Sequence, residues 1–138
     1  MRAAVGVADT GLVLVNERLR CVIVDDNADF LDAAVRLLEC QGISVVAVAR
    51  STSDAVHDVE ALQPDVTLVD INLGEEDGFD LIEQLHRNLP TAAAAAILIS
   101  THAEQDVAEL VKTSSAVAYL PKSALCGSAI REILALVG

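Results

Sequence analysis

Five short apolar segments alternate with five amphipathic segments along this chain. The apolar segments, rich in residues that favour strands, are RCVIVDD, ISVVAVA, DVTLVD, AAAILIS (Ala94–Ser100) and AVAYLP. The amphipathic segments are ADFLDAAVRLLECQ, SDAVHDVEALQ, DGFDLIEQLHRN, AEQDVAELVKTS and SALCGSAIREILALV. Strands that alternate with helices form parallel sheets, because each helix carries the chain back to the next strand. We therefore predict an α/β fold, a doubly wound five-stranded parallel sheet with helices on both faces.

Polar and helix-breaking residues mark the ends of several predicted helices. Asn27 or Asp29 can cap the first helix, and Ser53 is the expected cap of the second. Pro64 and Pro90 should end the second and third helices, since proline lacks the N–H that continues a helix.

The composition fits one compact domain and excludes several classes of partner. Apolar residues make up 53% of 138 residues and aromatic residues only 2%, so aliphatic side chains must build the core. The formal net charge of −12 repels phosphate backbones and anionic lipid surfaces, so we predict no direct nucleic-acid binding and no membrane binding.

The cysteines and the absence of sorting signals in the sequence point to the cytoplasm. Cys21, Cys40 and Cys126 are an odd number, widely spaced and next to apolar residues, so we expect reduced, buried thiols. No segment approaches the roughly 20 apolar residues of a membrane span, and the N-terminus lacks a secretory signal pattern.

Polar side chains cluster where the predicted strands end. In a doubly wound sheet the functional crevice lies beyond the carboxyl ends of the strands. Three carboxylates at one place repel one another, and a divalent cation bound by oxygen ligands, Mg²⁺ or Mn²⁺, relieves that repulsion. A lysine, a hydroxyl and a metal together suit a phosphoryl group. The residues concerned are Asp25, Asp26, Asp70, Ser100, Thr101 and Lys122.

Four segments in order, VDD, LVDINLGEEDG, ILIST and YLPKS, resemble the receiver domain of two-component response regulators. The resemblance spans Arg20 to Gly138, so we divide the chain into a leader, residues 1–19, and a receiver domain, residues 20–138. It implies a flavodoxin-like fold with strand order 2-1-3-4-5. It also implies that Asp70 takes a phosphoryl group from a phosphohistidine on a sensor histidine kinase or phosphotransfer protein.

The resemblance further implies a metal site around the phosphoacceptor. Asp26 and Asp70 would ligate Mg²⁺ through their carboxylates, Asn72 through its backbone carbonyl and Asp25 through a water molecule. Mn²⁺ has the same preference for oxygen ligands.

Catalytic and switching roles follow from the same resemblance. Ser100 would hydrogen-bond one phosphoryl oxygen and Lys122 would pair with another. Tyr119 would turn inward when Ser100 moves, which would reshape the face formed by helix four, strand five and helix five. That face is also the expected surface for a homodimer. Gly78, after Asp77, matches the glycine of the family's loop.

Two positions depart from the family's pattern. Gly74 stands where the family often has proline, which predicts a looser loop. Pro121 precedes Lys122, whereas the family usually has proline after the lysine, often joined by a cis peptide bond that aims the side chain. Neither departure removes a reacting group.

Each of these residues also has a structural interpretation. Asp25 and Asp26 can be a helix-capping pair, Asp70 a turn residue, Lys122 a solvated lysine at a helix start and Tyr119 a packing residue. The functional interpretation gains weight because three strand ends of one sheet would have to carry acids by chance.

Two other functional classes compete with the receiver. A haloacid-dehalogenase-like phosphatase also uses Mg²⁺ and an aspartate nucleophile at a strand end, but it needs a second aspartate where this chain has Asn72. A nucleotide-binding module would need a glycine-rich phosphate loop, which the sequence lacks. We therefore predict no turnover enzyme, but a domain that catalyses only its own phosphorylation and dephosphorylation.

The sequence is compatible with two kinds of signalling output and with two roles for the leader. The receiver either stands alone and acts through protein partners, or it is one half of a longer transcription factor. In the leader, GLVLV can form an edge strand or promote dimerisation, and a disordered leader is the alternative.

Overall fold

The computed structural model describes residues 5–7, 13–15, 18–88, 95–101 and 104–137. The strands are β1 Val5–Val7, β2 Val13–Val15, β3 Leu19–Val24, β4 Ile43–Ala49, β5 Val66–Asp70, β6 Asn72–Leu73, β7 Glu76–Asp77, β8 Ala96–Ser100 and β9 Ala118–Pro121. The helices are α1 Ala28–Cys40, α2 Thr52–Leu62, α3 Gly78–Asn88, α4 Glu104–Lys112 and α5 Gly127–Val137, with a 3₁₀ helix at Lys122–Ala124.

Five of these strands form one parallel sheet in the order β4-β3-β5-β8-β9. Numbered along the chain, these five strands have the order 2-1-3-4-5. The predicted fold class and strand order are therefore confirmed. The order reverses between β3 and β5, which places a crevice at the carboxyl ends of those two strands.

Successive side chains of each central strand point to opposite faces of the sheet, and each face has its own core. Cys21 and Ile23 of β3 pack with α1 and α5, whereas Val22 and Val24 pack with α2 and α3. Because both faces are covered, β5 and β8 are buried along their whole length.

The capping of the first two helices follows from single polar side chains. Asn27 is the N-cap of α1, and its side chain accepts a hydrogen bond from the N–H of Phe30. The expected cap at Ser53 is wrong: Ser51 caps α2 and accepts from the N–H of Asp54. Helix α2 begins two residues earlier than predicted because Ser51 is extended while Thr52 is already helical.

Other boundaries move by a few residues. The segment predicted as the last helix from Ser123 begins with the 3₁₀ helix and becomes α-helical only at Gly127. The predicted strand from Ala94 begins at Ala96, and both Ala94 and Pro90 lie outside the described residues.

The N-terminal strands form a sheet of their own. β1 pairs with β2 in an antiparallel two-stranded sheet, with Val5 opposite Val15. Within the described ranges, the apolar GLVLV segment therefore contributes a strand to this small sheet and not to an edge of the five-stranded one. The first strand of the large sheet begins at Leu19, one residue before the expected domain boundary.

The strand β4 closes one edge of the five-stranded sheet and carries no charged residue. The carboxylate of Glu39, in the last turn of α1, accepts a hydrogen bond of 2.7 Å from the N–H of Val45 in β4. Arg18 donates to the backbone carbonyl of Glu39 at 2.7 Å and lies 3.6 Å from its carboxylate. The bond to Val45 ties the edge strand to α1, and Arg18, just before β3, contacts the same glutamate.

The three cysteines all have free thiols, but the expectation that they are all buried is wrong. Cys21 is buried, and this burial raises the pKa of its thiol to about 12. Cys126 is half-buried and Cys40 is exposed, because Cys40 lies at the exposed end of α1. Among the described helices, none combines the length and apolar character needed to cross a bilayer.

Candidate functional site

The carboxyl ends of the central strands bring the predicted polar residues to one edge of the sheet. Asp25 directly follows β3, Asp70 is the last residue of β5 and Ser100 the last residue of β8. Pro121 pairs with Ser100 in the β8–β9 register, so Lys122 comes next to Ser100's strand end. Parallel pairing alone therefore assembles residues that are far apart in the sequence.

Three carboxylates meet at this edge. One carboxylate oxygen from each of Asp25, Asp26 and Asp70 lies within 4.8 Å of the other two. Asp25 is fully buried and Asp70 nearly so, whereas Asp26 is half-buried. Negative charges so close together and partly withdrawn from water require positive charge nearby.

Asp25 and Asp70 are held in the same way by the backbone that follows them. The Oδ1 atom of Asp25 accepts from the N–H of Asn27 at 2.8 Å, and the Oδ1 atom of Asp70 accepts from the N–H of Asn72 at 3.2 Å. Each bond spans two residues and fixes the direction of the carboxylate. The Oδ2 atom of each carboxylate is thereby turned into the crevice.

The Lys122 ammonium lies between these two Oδ2 atoms. Its Nζ is 2.6 Å from Asp25 Oδ2 and 3.2 Å from Asp70 Oδ2, and the lysine side chain is 14% exposed. Lys122 follows the last residue of β9 and begins the 3₁₀ helix, so it reaches the carboxylates although Pro121 precedes it. The altered position of the proline therefore leaves Lys122 in the site.

The surroundings of the site raise the pKa of both Asp70 and Lys122. Burial raises the pKa of Asp70, and the neighbouring charge of Asp25 raises it further, against the opposing hydrogen bond from Asn72 and the charge of Lys122. Burial by itself lowers the pKa of Lys122, but its contacts with Asp25 and Asp70 outweigh that effect, and the pKa is raised. Lys122 is therefore held in its charged form, while the ionised form of Asp70 is disfavoured.

The donor set fits a hard divalent cation. All the clustered ligand atoms are carboxylate oxygens, the type that Mg²⁺ and Mn²⁺ prefer. Asp25 Oδ2 is buried, and the ammonium of Lys122, 2.6 Å away, is the positive charge that faces it. One ammonium against three carboxylates leaves the cluster negative, which favours a further cation.

Ser100 and Tyr119 lie at different depths along the neighbouring strands. Ser100 is fully buried at the end of β8, beside the carboxylates, whereas Thr101 after it is exposed. Tyr119 pairs with Leu98 in the β8–β9 register and packs, half-buried, against the core on the side of α2 and α3. Strand β8 therefore lies between the strand of Tyr119 and the strand of Asp70, and Tyr119 is not part of the acidic cluster.

The loop after Asp70 is a tight hairpin. Asn72–Leu73 pairs with Glu76–Asp77, and Gly74, with φ of +66°, is the first of the two turn residues. Proline, whose φ is fixed near −65°, cannot adopt this conformation. The glycine allows this turn, and the expectation that it loosens the loop stays a prediction. A side chain at Gly74 would begin 3.4 Å from Asp26 Oδ2, so the turn lies directly against the carboxylates.

One residue of the site was missed from the sequence. The ring of Phe30, in the first turn of α1, lies with its centroid 4.2 Å from Lys122 Nζ. Ninety-two positions separate the two residues. The available signal was the position of Phe30 within the first turn of the helix that leaves Asp26, which places its side chain near the mouth of the crevice.

Comparison with known proteins gives one consistent family. Residues 21–134 match the model of the response regulator receiver domain. A response regulator receiver protein of Anaeromyxobacter sp. strain Fw109-5 is 32% identical over 103 residues, which cover 75% of this chain and 42% of that protein. The solved receiver domain of the putative response regulator NarL from Mycobacterium tuberculosis has a TM-score of 0.74 at 25% identity, over 88% of this chain and 97% of that one.

Other relatives carry further activities in their names. A protein-glutamate methylesterase/protein-glutamine glutaminase of Symbiobacterium thermophilum is 32% identical over 92 residues, which cover 66% of this chain and 25% of that protein. The chain thus spans between a quarter and about two fifths of the length of these curated relatives. The segment that matches the receiver-domain model, residues 21–134, contains Asp25, Asp70 and Lys122.

Proposed function

This chain belongs to the response regulator receiver domain family, and from that premise we propose that Asp70 accepts a phosphoryl group from a phosphohistidine of a sensor histidine kinase or phosphotransfer protein. The observation that carries the proposal is the Lys122 ammonium between the Oδ2 atoms of Asp25 and Asp70. This arrangement leaves one negatively charged oxygen of Asp70 facing the crevice with positive charge beside it.

The chemistry assigned to Asp70 is a single transfer. Its carboxylate oxygen attacks phosphorus, an O–P bond forms, and the P–N bond to the donor histidine breaks, leaving neutral imidazole after proton uptake. The hydrogen bond from the N–H of Asn72 holds Asp70 in one orientation, so little reorganisation precedes the attack. Hydrolysis of the acyl phosphate by water restores the carboxylate.

Lys122 and Ser100, at the ends of the two strands beyond β5, both assist this transfer. Lys122 already contacts Asp70 Oδ2 at 3.2 Å, so its ammonium can follow the charge from the carboxylate to a phosphoryl oxygen. The buried hydroxyl of Ser100, at the adjacent strand end, can donate to another oxygen. Asp26 and Asp70, the Asn72 carbonyl and, through water, Asp25 would hold Mg²⁺, or Mn²⁺ in its place. That ion supplies positive charge for the phosphoryl oxygens when bound.

The domain boundaries and the surroundings of the chain are part of the proposal. We place the receiver domain at residues 20–138, after a leader of residues 1–19. Three free thiols among the described residues support a reducing compartment, the cytoplasm. The face of α4, β9 and α5 is the proposed surface for a second copy. The chain itself is proposed to catalyse only its own phosphorylation and dephosphorylation.

The phosphatase alternative receives no support. Its general acid would stand two residues after the nucleophile, where the structure has Asn72, an exposed amide whose backbone N–H serves Asp70. The relatives are receiver proteins and methylesterases that carry a matching segment.

Mass spectrometry after incubation with acetyl phosphate and Mg²⁺ tests the proposal. We expect one added phosphate, about 80 Da, which hydroxylamine removes because the bond is an acyl phosphate. The Asp70→Asn variant should remain unmodified, since an amide is not a nucleophile at neutral pH. If small donors fail, a histidine kinase supplies the phosphohistidine. Labelling of Ser100 or Thr101, or undiminished labelling of Asp70→Asn, would contradict the assignment.

A further inference from the structure

Lys122 is held from a third direction by an aromatic ring. The centroid of the Phe30 ring is 4.2 Å from Lys122 Nζ, well inside the roughly 6 Å at which a cation and a ring face attract. The lysine side chain is only 14% exposed, so water screens this attraction weakly. The contact joins α1 to the turn after β9.

The ring is supplied by a rigid element. Asn27 caps α1 and accepts a hydrogen bond of 3.1 Å from the N–H of Phe30, so the backbone of Phe30 is fixed in the first turn. The ring also packs, partly buried, against the core on the side of α1 and α5. The position of Phe30 is therefore fixed by α1 and by the core, independently of Lys122.

The two carboxylates that contact Lys122 have competing uses. Asp25 and Asp70 belong to the acidic cluster proposed to hold the cation, and Asp70 is the proposed phosphoacceptor. A bound cation competes with the ammonium for both carboxylates. The ring of Phe30 carries no charge and binds no hard cation, so its contact with Lys122 persists while the other two weaken.

We propose that Phe30 is a positioning residue, whose ring face holds the Lys122 ammonium at the phosphoryl site when the carboxylates are taken by cation and phosphoryl group. This role rests on the proposed phosphoacceptor function. Without the ring, the ammonium can move away from the site into solvent. The four rotatable bonds of the lysine side chain gain rotamer freedom when the contact is lost.

The contact itself can be measured in the metal-free protein. The sequence contains two lysines, Lys112 and Lys122, and Lys112 is exposed, with Glu109 as its ion-pair partner. In NMR spectra the ε-methylene protons of Lys122 should be shifted upfield by the ring relative to those of Lys112. Phe30→Leu should remove this difference and Phe30→Tyr should keep it. Equal shifts for the two lysines in the native chain would overturn the inference.

The role is tested by beryllofluoride, a mimic of the bound phosphoryl group, in the presence of Mg²⁺. We expect Phe30→Leu to bind it about three- to thirtyfold more weakly than the native chain, the range expected for a cation–ring contact, and Phe30→Tyr to bind within about twofold. Affinity for Mg²⁺ alone should be equal or higher in Phe30→Leu, because a looser Lys122 competes less for Asp25 and Asp70.

A positioning role therefore predicts weaker binding of beryllofluoride without weaker binding of Mg²⁺, whereas a general loss of structure would weaken both. If Phe30→Leu and Phe30→Tyr lose Mg²⁺ and beryllofluoride together, Phe30 supports the fold only, and the inference fails. Equal beryllofluoride affinity in Phe30→Leu and the native chain also overturns it. In a Lys122→Met background, Phe30→Leu should change the affinity for beryllofluoride less than about twofold. The contact that the ring makes with the ammonium is already absent there, so a double-mutant cycle should show that the two substitutions are not additive. Failure of the native chain to bind beryllofluoride would instead refute the phosphoacceptor function.

Discussion

Gly78 lies so close to Asp70 that a side chain on it would overlap the aspartate's carbonyl. A Cβ atom at Gly78 would stand 2.0 Å from the Asp70 carbonyl oxygen and 3.0 Å from the Cα of Ile71. The N–H of Gly78 donates to the carbonyl of Ile71 at 2.8 Å and draws the start of α3 against the end of β5. This close approach of α3 to the end of β5, which carries the proposed phosphoacceptor Asp70, is possible only because position 78 has no side chain.

Gly78→Ala should destabilise the fold by about 3 kcal/mol or more, since the overlap is with backbone and cannot be relieved by a rotamer change. Urea denaturation followed by circular dichroism measures the loss. Asp80→Ala, two residues further along the same helix with an exposed side chain, is the control and should cost less than about 1 kcal/mol. A loss below about 1 kcal/mol for Gly78→Ala would show that the hairpin can shift freely.

Asp26→Ala should lose most of the affinity for Mg²⁺, by at least about tenfold, because one of two proposed direct carboxylate ligands disappears. Titration calorimetry without phosphate measures the affinity. Asp29→Ala removes an exposed carboxylate three residues further on and should bind Mg²⁺ within about twofold of the native chain. Equal binding by both variants would mean that the acidic cluster is not the metal site.

Asp70→Asn should raise the melting temperature of the metal-free protein at neutral pH. The pKa of Asp70 is raised by burial and by Asp25, so the folded state holds this proton more tightly than the unfolded state. The ionised carboxylate therefore costs stability at any pH above the raised pKa, and the cost vanishes as the pH falls through it.

The melting temperatures of the native chain and of Asp70→Asn, measured in the presence of a chelator from neutral to acidic pH, test this prediction. The advantage of Asp70→Asn should shrink steadily on acidification, and added Mg²⁺ should stabilise the native chain more than the variant. A variant that melts below the native chain at neutral pH in chelator would contradict the prediction.

Tyr119 should respond to beryllofluoride and Mg²⁺, because the buried Ser100 end of β8 adjoins β9 and movement there opens space for the half-buried ring. The sequence has one tyrosine and no tryptophan, so tyrosine fluorescence reports this residue alone. Ser100→Ala should reduce the fluorescence change more than the affinity for the mimic. An unchanged signal with the mimic bound would leave Tyr119 as a packing residue.

The fold was predictable because its signals are local and repeated. Five apolar strands, each followed by an amphipathic helix, allow few arrangements other than a doubly wound parallel sheet, and the strand order then came from the family resemblance. The acidic cluster was predictable for the same reason, since parallel strands bring their carboxyl ends to one edge. Asp25, Asp26 and Asp70 were therefore placed together without any knowledge of their distances.

Features that depend on one side chain meeting another were not predictable. The choice of Ser51 over Ser53 as a cap depends on where α2 first turns, which tertiary packing decides. The contact of Phe30 with Lys122 joins two segments that no periodicity relates. The turn at Gly74 was not predictable either, because the backbone freedom of glycine does not specify the single conformation that it adopts when folded.

The bond from the Val45 N–H to Glu39 covers part of an outer strand edge. An outer strand of seven uncharged residues offers its N–H groups to any neighbouring chain, and such strands seed edge-to-edge aggregation. The Glu39 carboxylate occupies one of those donors and places a negative charge beside the strand. One side chain therefore opposes edge-to-edge pairing at this position, and its removal would leave the Val45 N–H open to a strand of another chain.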